Sequence, residues 1–181
     1  MVWGKRYIAG ERQRSQLPLI LTVLAVLVIA GIALVIWEVQ HRPQPVAPNI
    51  VSQLSFSPFV ITKGSGGAVL SQKYDAASGV YFFVMKTADG KQFTVSEQNT
   101  PVNFSEIPEL YTKLLDGLHK YDTIETVNGT VSLAHPKQGE SQAILNEKGV
   151  LMFIRSDSGE LSKAAWKRVI ESFDIYKIQK L

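Results

Sequence analysis

Residues 17–37 read LPLILTVLAVLVIAGIALVIW, 21 positions of which 18 are apolar and none is charged. No other stretch constrains the chain so strongly. As a helix at about 1.5 Å per residue it is roughly 31 Å long, which matches a hydrocarbon core of about 30 Å. A helix can enter lipid because it satisfies its own backbone N–H and C=O groups. Pro18 falls in the first turn, where a missing N–H costs little, and Trp37 stands where an indole anchors at the far interface. A cleaved signal peptide fits less well. Its apolar region is shorter, about 7–15 residues, and ends at small residues, whereas this run leaves through Trp37-Glu38-Val39-Gln40. A lone Gly31 gives no GxxxG face.

The charges orient the span. Residues 1–16 carry Lys5, Arg6, Arg12 and Arg14 against Glu11, while residues 38–181 hold 15 basic and 15 acidic side chains. The positive-inside rule puts the basic tail, 1–16, in the cytoplasm and the C-terminal region outside it. The pI near 9.1 is thus a property of the tail, and no nucleic-acid partner is expected. With no cysteine, the chain has no disulfide scaffold, thiolate metal site or cysteine nucleophile.

Pro43, Pro45 and Pro48 make residues 38–49 a polyproline-like stalk. Residues 50–181 are then one domain, large enough to bury a core without staples. Its plainest signals are hairpins: 80–87 with 92–97 across Asp89-Gly90, 123–127 with 130–135 across Asn128-Gly129, and 141–146 with 150–156 across Gly149, where a bulged turn is expected. Residues 69–74 add a strand, and 49–61, interrupted by Pro58, reads as irregular or edge. Ile107, Leu110, Tyr111, Leu114, Leu115 and Leu118 form the stripe of a first helix opening at Pro108. Trp166, Val169, Ile170 and Phe173 form that of a second, capped by Ser162 and stapled by Leu161 and Trp166. The expected fold is α+β: one transmembrane helix followed by a curved antiparallel sheet with two amphipathic helices packed on one face. Residues 80–85 and 150–154 are apolar throughout, so both their faces need cover. The second face is closed by the 50–70 segment, left open as a groove for an acyl chain or extended peptide, or used in self-association.

Catalytic patterns are thin. His119 follows the first helix, where a helix-end role explains it, and His135 ends a strand. Neither has ligand spacing, so a metal site with Asp116 or Asp122 is not expected, and His41 belongs to the stalk. Gly64-Ser65-Gly66-Gly67 lacks the Gly-Lys-Ser/Thr ending of a phosphate loop and reads as a flexible loop. Asp122 and Glu125 are three apart in a strand and point to opposite faces, which argues against shared acid–base work. No Gly-x-Ser-x-Gly elbow or Ser-x-x-Lys pair occurs. Asn103 and Asn128 head glycosylation sequons, the second already explained by its turn. Lys163, Lys167 and Arg168 share a helix face that is either solvated or turned towards anionic lipid or an acidic partner. No catalytic, cofactor-binding or metal-binding residue is assigned, no cofactor is expected, and the ligand-binding residues stay open.

The order Gly79-Val-Tyr-Phe-Phe-Val, Asp89-Gly-Lys-Gln-Phe-Thr-Val, Glu97-Gln98 with Pro101 and Phe104, Leu110-Tyr-Thr-Lys-Leu-Leu, Thr126-Val-Asn-Gly-Thr-Val, Gly149-Val-Leu-Met-Phe-Ile and Leu161 to Phe173 resembles small bacterial single-pass membrane proteins. Their extracytoplasmic domains of unknown function are distantly similar to the lipoprotein-carrier-like sheets of envelope-sensing and anti-sigma-associated proteins. The likeness covers about residues 50–175 and is one of topology and spacing. It implies a curved antiparallel sheet with helices on one face and a non-enzymatic role in the bacterial envelope. A tail of 16 residues is too short for a sigma-binding domain, which weighs against direct transcriptional signalling. The expected function is a membrane-anchored extracytoplasmic domain that binds, scaffolds or senses, with the lipid bilayer and an envelope protein as partners. The alternatives are a tethered carrier of an apolar ligand (an acyl chain or extended peptide) and an accessory subunit of an envelope assembly.

Overall fold

The computed structural model describes residues 29–34, 46–137 and 140–178. The chain divides into two units, residues 1–38 and 39–181. In the first, residues 29–34 are helical with Ile29, Ile32 and Leu34 exposed.

In the second unit α1 (Pro48–Val51) leads into β1 (Phe59–Ile61) and a 3₁₀ turn, Lys63–Ser65. A meander of β2 (Ala68–Asp75), β3 (Val80–Lys86) and β4 (Gln92–Asn99) follows. Helices α2 (Val102–Glu106) and α3 (Pro108–Gly117) cross to a second meander, β5 (Lys120–Thr126), β6 (Gly129–Ala134), β7 (Ser141–Glu147) and β8 (Val150–Ser156). The chain then forms α4 (Lys163–Glu171) and β9 (Phe173–Ile175). The two meanders join where β4 pairs with β8, giving a seven-stranded antiparallel sheet in the order β2-β3-β4-β8-β7-β6-β5. β1 and β9, from opposite ends of the domain, pair as a small second sheet.

Local rules account for the boundaries. Pro108 opens α3, and Ile107 before it is held at φ −134°, ψ 82°, outside the helical region a following proline disfavours. Ser162 caps α4 by accepting from the Ala165 N–H at 3.3 Å. The β7–β8 turn is tighter than the expected bulge: Lys148 and Gly149 both have positive φ, and Glu147 pairs directly with Val150. Pro58 sits just before β1, where its missing N–H breaks no ladder, and its carbonyl accepts from the Tyr176 N–H at 2.8 Å.

Burial runs on both faces of the sheet. On one face Tyr81, Phe83, Met85, Phe93, Val95, Val131, Leu133, Leu145, Met152 and Ile154 meet α4, the small sheet and the 46–56 segment. On the other, Ala134, Ile144 and Leu151 meet Phe104 and the Tyr111, Leu114, Leu115 stripe of α2–α3.

The expected fold class is therefore corrected. The structure is mostly β, 42% strand against 26% helix: the seven-stranded sheet supplies most of the strand residues, and the 49–61 and post-α4 segments add a second sheet of two three-residue strands. The two amphipathic helices cover opposite faces, since strand β8 presents Val150, Met152 and Ile154 to one side and Leu151 to the other. The 46–61 segment lies on the α4 face, and what closes the second face is α2–α3, over β6, β7 and β8 only. The expected transmembrane helix is not found among the described residues, where no helix is long and apolar enough to cross a membrane. Apart from 29–34, the run 17–37 lies outside the described residues, as do the tail 1–16 and His41. Of the expected stalk, 46–49 are described. Val46 is buried and α1 starts at Pro48, so these residues belong to the folded body.

Candidate functional site

Beside the β3–β4 hairpin the cover over the apolar face of the large sheet is indented. There α4, the hairpin and the turn after β1 diverge and leave a cleft of about 370 Å³. Its floor is apolar and drawn from the core: Met85 and Phe93 from the sheet, Leu161, Ala165 and Val169 from α4 and the loop before it. Trp166 braces the floor, its ring edge-on to Phe93 at 5.8 Å and its indole N–H donating to the Ser141 hydroxyl at 3.1 Å. The rim is polar: Ser65, Thr87, Asp89, Lys91, Arg168 and Ser172. The Gly64–Gly67 run, read from sequence as a flexible loop, forms one wall as an ordered 3₁₀ turn. Gly66 closes it at φ 67°, and a Cβ there would stand 3.0 Å from the Ala88 Cβ of the hairpin. A shallower depression of about 510 Å³ lies among Val46, Ala47, Pro48, Val51, Ser52 and Tyr176.

The three basic residues of α4 have different fates. Lys163 pairs with Asp122 at 2.5 Å, and Lys167 with Glu171 at 3.8 Å. Arg168 lines the cleft and has no ion-pair partner among the described residues. Across the rim Lys91 lies 3.4 Å from Asp89. The Thr87 hydroxyl donates to Asp89 at 2.5 Å and, with Lys91, holds that carboxyl below its ordinary range. Two cations against one carboxylate leave the mouth with one positive charge.

The other residues singled out from the sequence do not converge on this cleft. His119 takes the left-handed position after α3, φ 55°, its N–H donating to the Asp116 carbonyl: a helix-end role. His135 stacks on Tyr121 at 4.2 Å, its Nδ1 donating to the Glu140 carbonyl at 2.9 Å, and its Nε2 lies 3.6 Å from Glu160. Among the described residues no three metal-binding side chains cluster. Asp122 is held below its ordinary range chiefly by Lys163, whereas Glu125 accepts from Thr130. Asn103 is exposed. Asn128 is buried, its amide donating to the Ile170 and Phe173 carbonyls, which withdraws that sequon from the surface.

Sequence reading missed Glu97. Its carboxyl is fully buried: Oε2 accepts the Phe59 N–H at 2.9 Å, and Oε1 has no partner among the described residues. Burial pushes its pKa well above the ordinary value; burial, and to a lesser extent the Glu97 charge, raises that of Tyr81, its partner in the register. The signal was present. Phe93, Val95 and Glu97 alternate in β4, so period two puts the acid on the apolar face.

Known proteins give no match. No family model fits the chain, and no curated protein or solved structure is significantly similar to it.

Proposed function

We propose that this chain is a membrane-anchored binding domain that works outside the cytoplasm without catalysis and holds a small apolar ligand in the cleft beside α4. The observation that carries the reading is the cleft itself, which opens to solvent over Leu161, Ala165 and Val169, each 8% exposed, with Met85 and Phe93 of the core buried beneath them. An apolar hollow of a few hundred Å³ with a few polar rim groups is the usual form of a small-molecule site. A binding rather than catalytic role is supported by His119, His135, Asp122 and Glu125, each engaged in its own local contact instead of facing a shared cavity. Anchoring is supported by the uncharged run 17–37 behind a basic tail and by the exposure of Ile29, Ile32 and Leu34, as suits side chains meeting lipid.

The test is extraction and mass spectrometry of the chain purified from its own membrane, paired with titration of an environment-sensitive apolar dye. A co-purified apolar compound, or saturable one-to-one dye binding lost on enlarging Ala165 to Phe, is expected. A chain that yields no compound and takes up no dye would sink the reading.

A second reading has one observation in its favour. Beyond the reach of α2–α3, the far face of β2 and β3 leaves Leu70 54% and Phe82 37% exposed, a surface suited to a subunit of an envelope assembly. Crosslinking in the membrane from Phe82 would identify that partner.

A further inference from the structure

We infer that the cleft takes a single-chain amphiphile with a monoanionic head, such as a free fatty acid, the head held by Arg168 and the chain lying over Leu161, Ala165 and Val169. This rests on the cleft being a ligand site and adds what the ligand is. Three observations carry it. First, α4 carries three cations; Lys163 and Lys167 are neutralised by Asp122 and Glu171, and the one without an ion pair among the described residues is the one at the mouth. Second, Lys91 is engaged with Asp89, so the excess at the rim is a single positive charge, which matches one negative charge and no more. A guanidinium is also the side chain best shaped to grip a carboxylate through two parallel N–H bonds.

Third, the geometry is amphipathic in one direction. Val169 follows Arg168 in sequence, and Ala165 lies one helical turn before it, so a ligand whose head meets the guanidinium has its tail over the apolar floor. The rim hydroxyls are already donating: Ser65 to the Thr62 carbonyl at 2.7 Å and Ser172 to the Val169 carbonyl at 2.6 Å. They are thus committed as donors, and recognition of the anion falls to the cation. A volume of about 370 Å³ is at the lower end for organic ligands, which favours a short or medium chain.

The experiment uses the full chain in phosphatidylcholine nanodiscs, dialysed against labelled octanoate and, separately, labelled 1-octanol, with empty nanodiscs as the blank. Arg168 is exposed, so Arg168→Ala leaves the fold intact. Octanoate is expected to bind one per chain and to weaken about tenfold in R168A, while 1-octanol binds both proteins alike. A third arm replaces the free acid with phosphatidylglycerol vesicles, which separates a bilayer headgroup from a free acid. Equal binding of octanoate and octanol with no effect of R168A overturns the anionic head and leaves the apolar site standing. Binding to the vesicles without binding to octanoate overturns the choice of a free single-chain ligand. Binding of none of the three overturns both this inference and the function proposed above.

Discussion

Among the described residues, Glu97 is the one that carries a buried side-chain polar atom without a partner. It sits mid-strand under β1, and its one protein hydrogen bond ties the first N–H of the small sheet to the large one. Burial favours the neutral acid, so the native chain keeps a proton that the unfolded chain releases near the ordinary glutamate value of 4.5. The native state then binds more protons than the unfolded one, and stability falls as pH rises from 4.5 towards the raised native value. Glu97→Gln keeps the shape and an acceptor for Phe59 but cannot ionise. Its urea midpoint is expected to exceed that of the native sequence at pH 8, with the gap closing by pH 4. Asp75, Asp89 and Asp122 are shifted the opposite way and are common to both proteins, so the difference between the two curves isolates Glu97. Parallel curves across that range would show that Glu97 is not held neutral.

At the scale of elements, the turn between β5 and β6 does two jobs. Asn128-Gly129 makes the hairpin, as Gly129 at φ 121° allows, and the Asn128 amide reaches α4 to satisfy the carbonyls of Ile170 and Phe173. The Ile170 carbonyl is one of the orphan acceptors at the end of α4 and that of Phe173 opens β9, and such acceptors cost free energy when buried without a donor. Asn128→Ala should therefore destabilise the domain by about 1–3 kcal/mol. Circular dichroism during denaturation checks this, and a variant within about 0.5 kcal/mol of the native sequence would reduce the residue to its turn role. Most elements of the large sheet were legible from sequence because each follows a short-range rule: alternation in β4, the Asp89-Gly90 and Asn128-Gly129 turns, Pro108 and Ser162 at helix starts. β1 and β9 were not, since three-residue strands become strands only when the two ends of the domain meet.

For the whole molecule, the 46–178 region has a core on both sheet faces built from its own residues. Released from residues 1–45, it is expected to remain in solution without detergent and to unfold in one cooperative transition, while the full chain sediments with membranes. Protease added to intact cells should remove this domain if it stands outside them. Survival of the domain while known surface proteins are cut would reverse the proposed orientation.

The sequence by itself determined the elements of the large sheet, the helix caps and the separation of an uncharged run from a charge-balanced domain, because propensity, period and turn chemistry act over a few residues. Only the tertiary structure decided that the two helices lie on opposite faces, that Asn128 serves α4, that Glu97 is buried beneath Phe59 and that Arg168, alone of three neighbouring cations, faces a cleft. Each of these depends on which distant segment arrives at a given face of the sheet. A helical stripe records that a helix is amphipathic, but the side of the sheet it covers is set by the path of the connections and by the packing of every other segment.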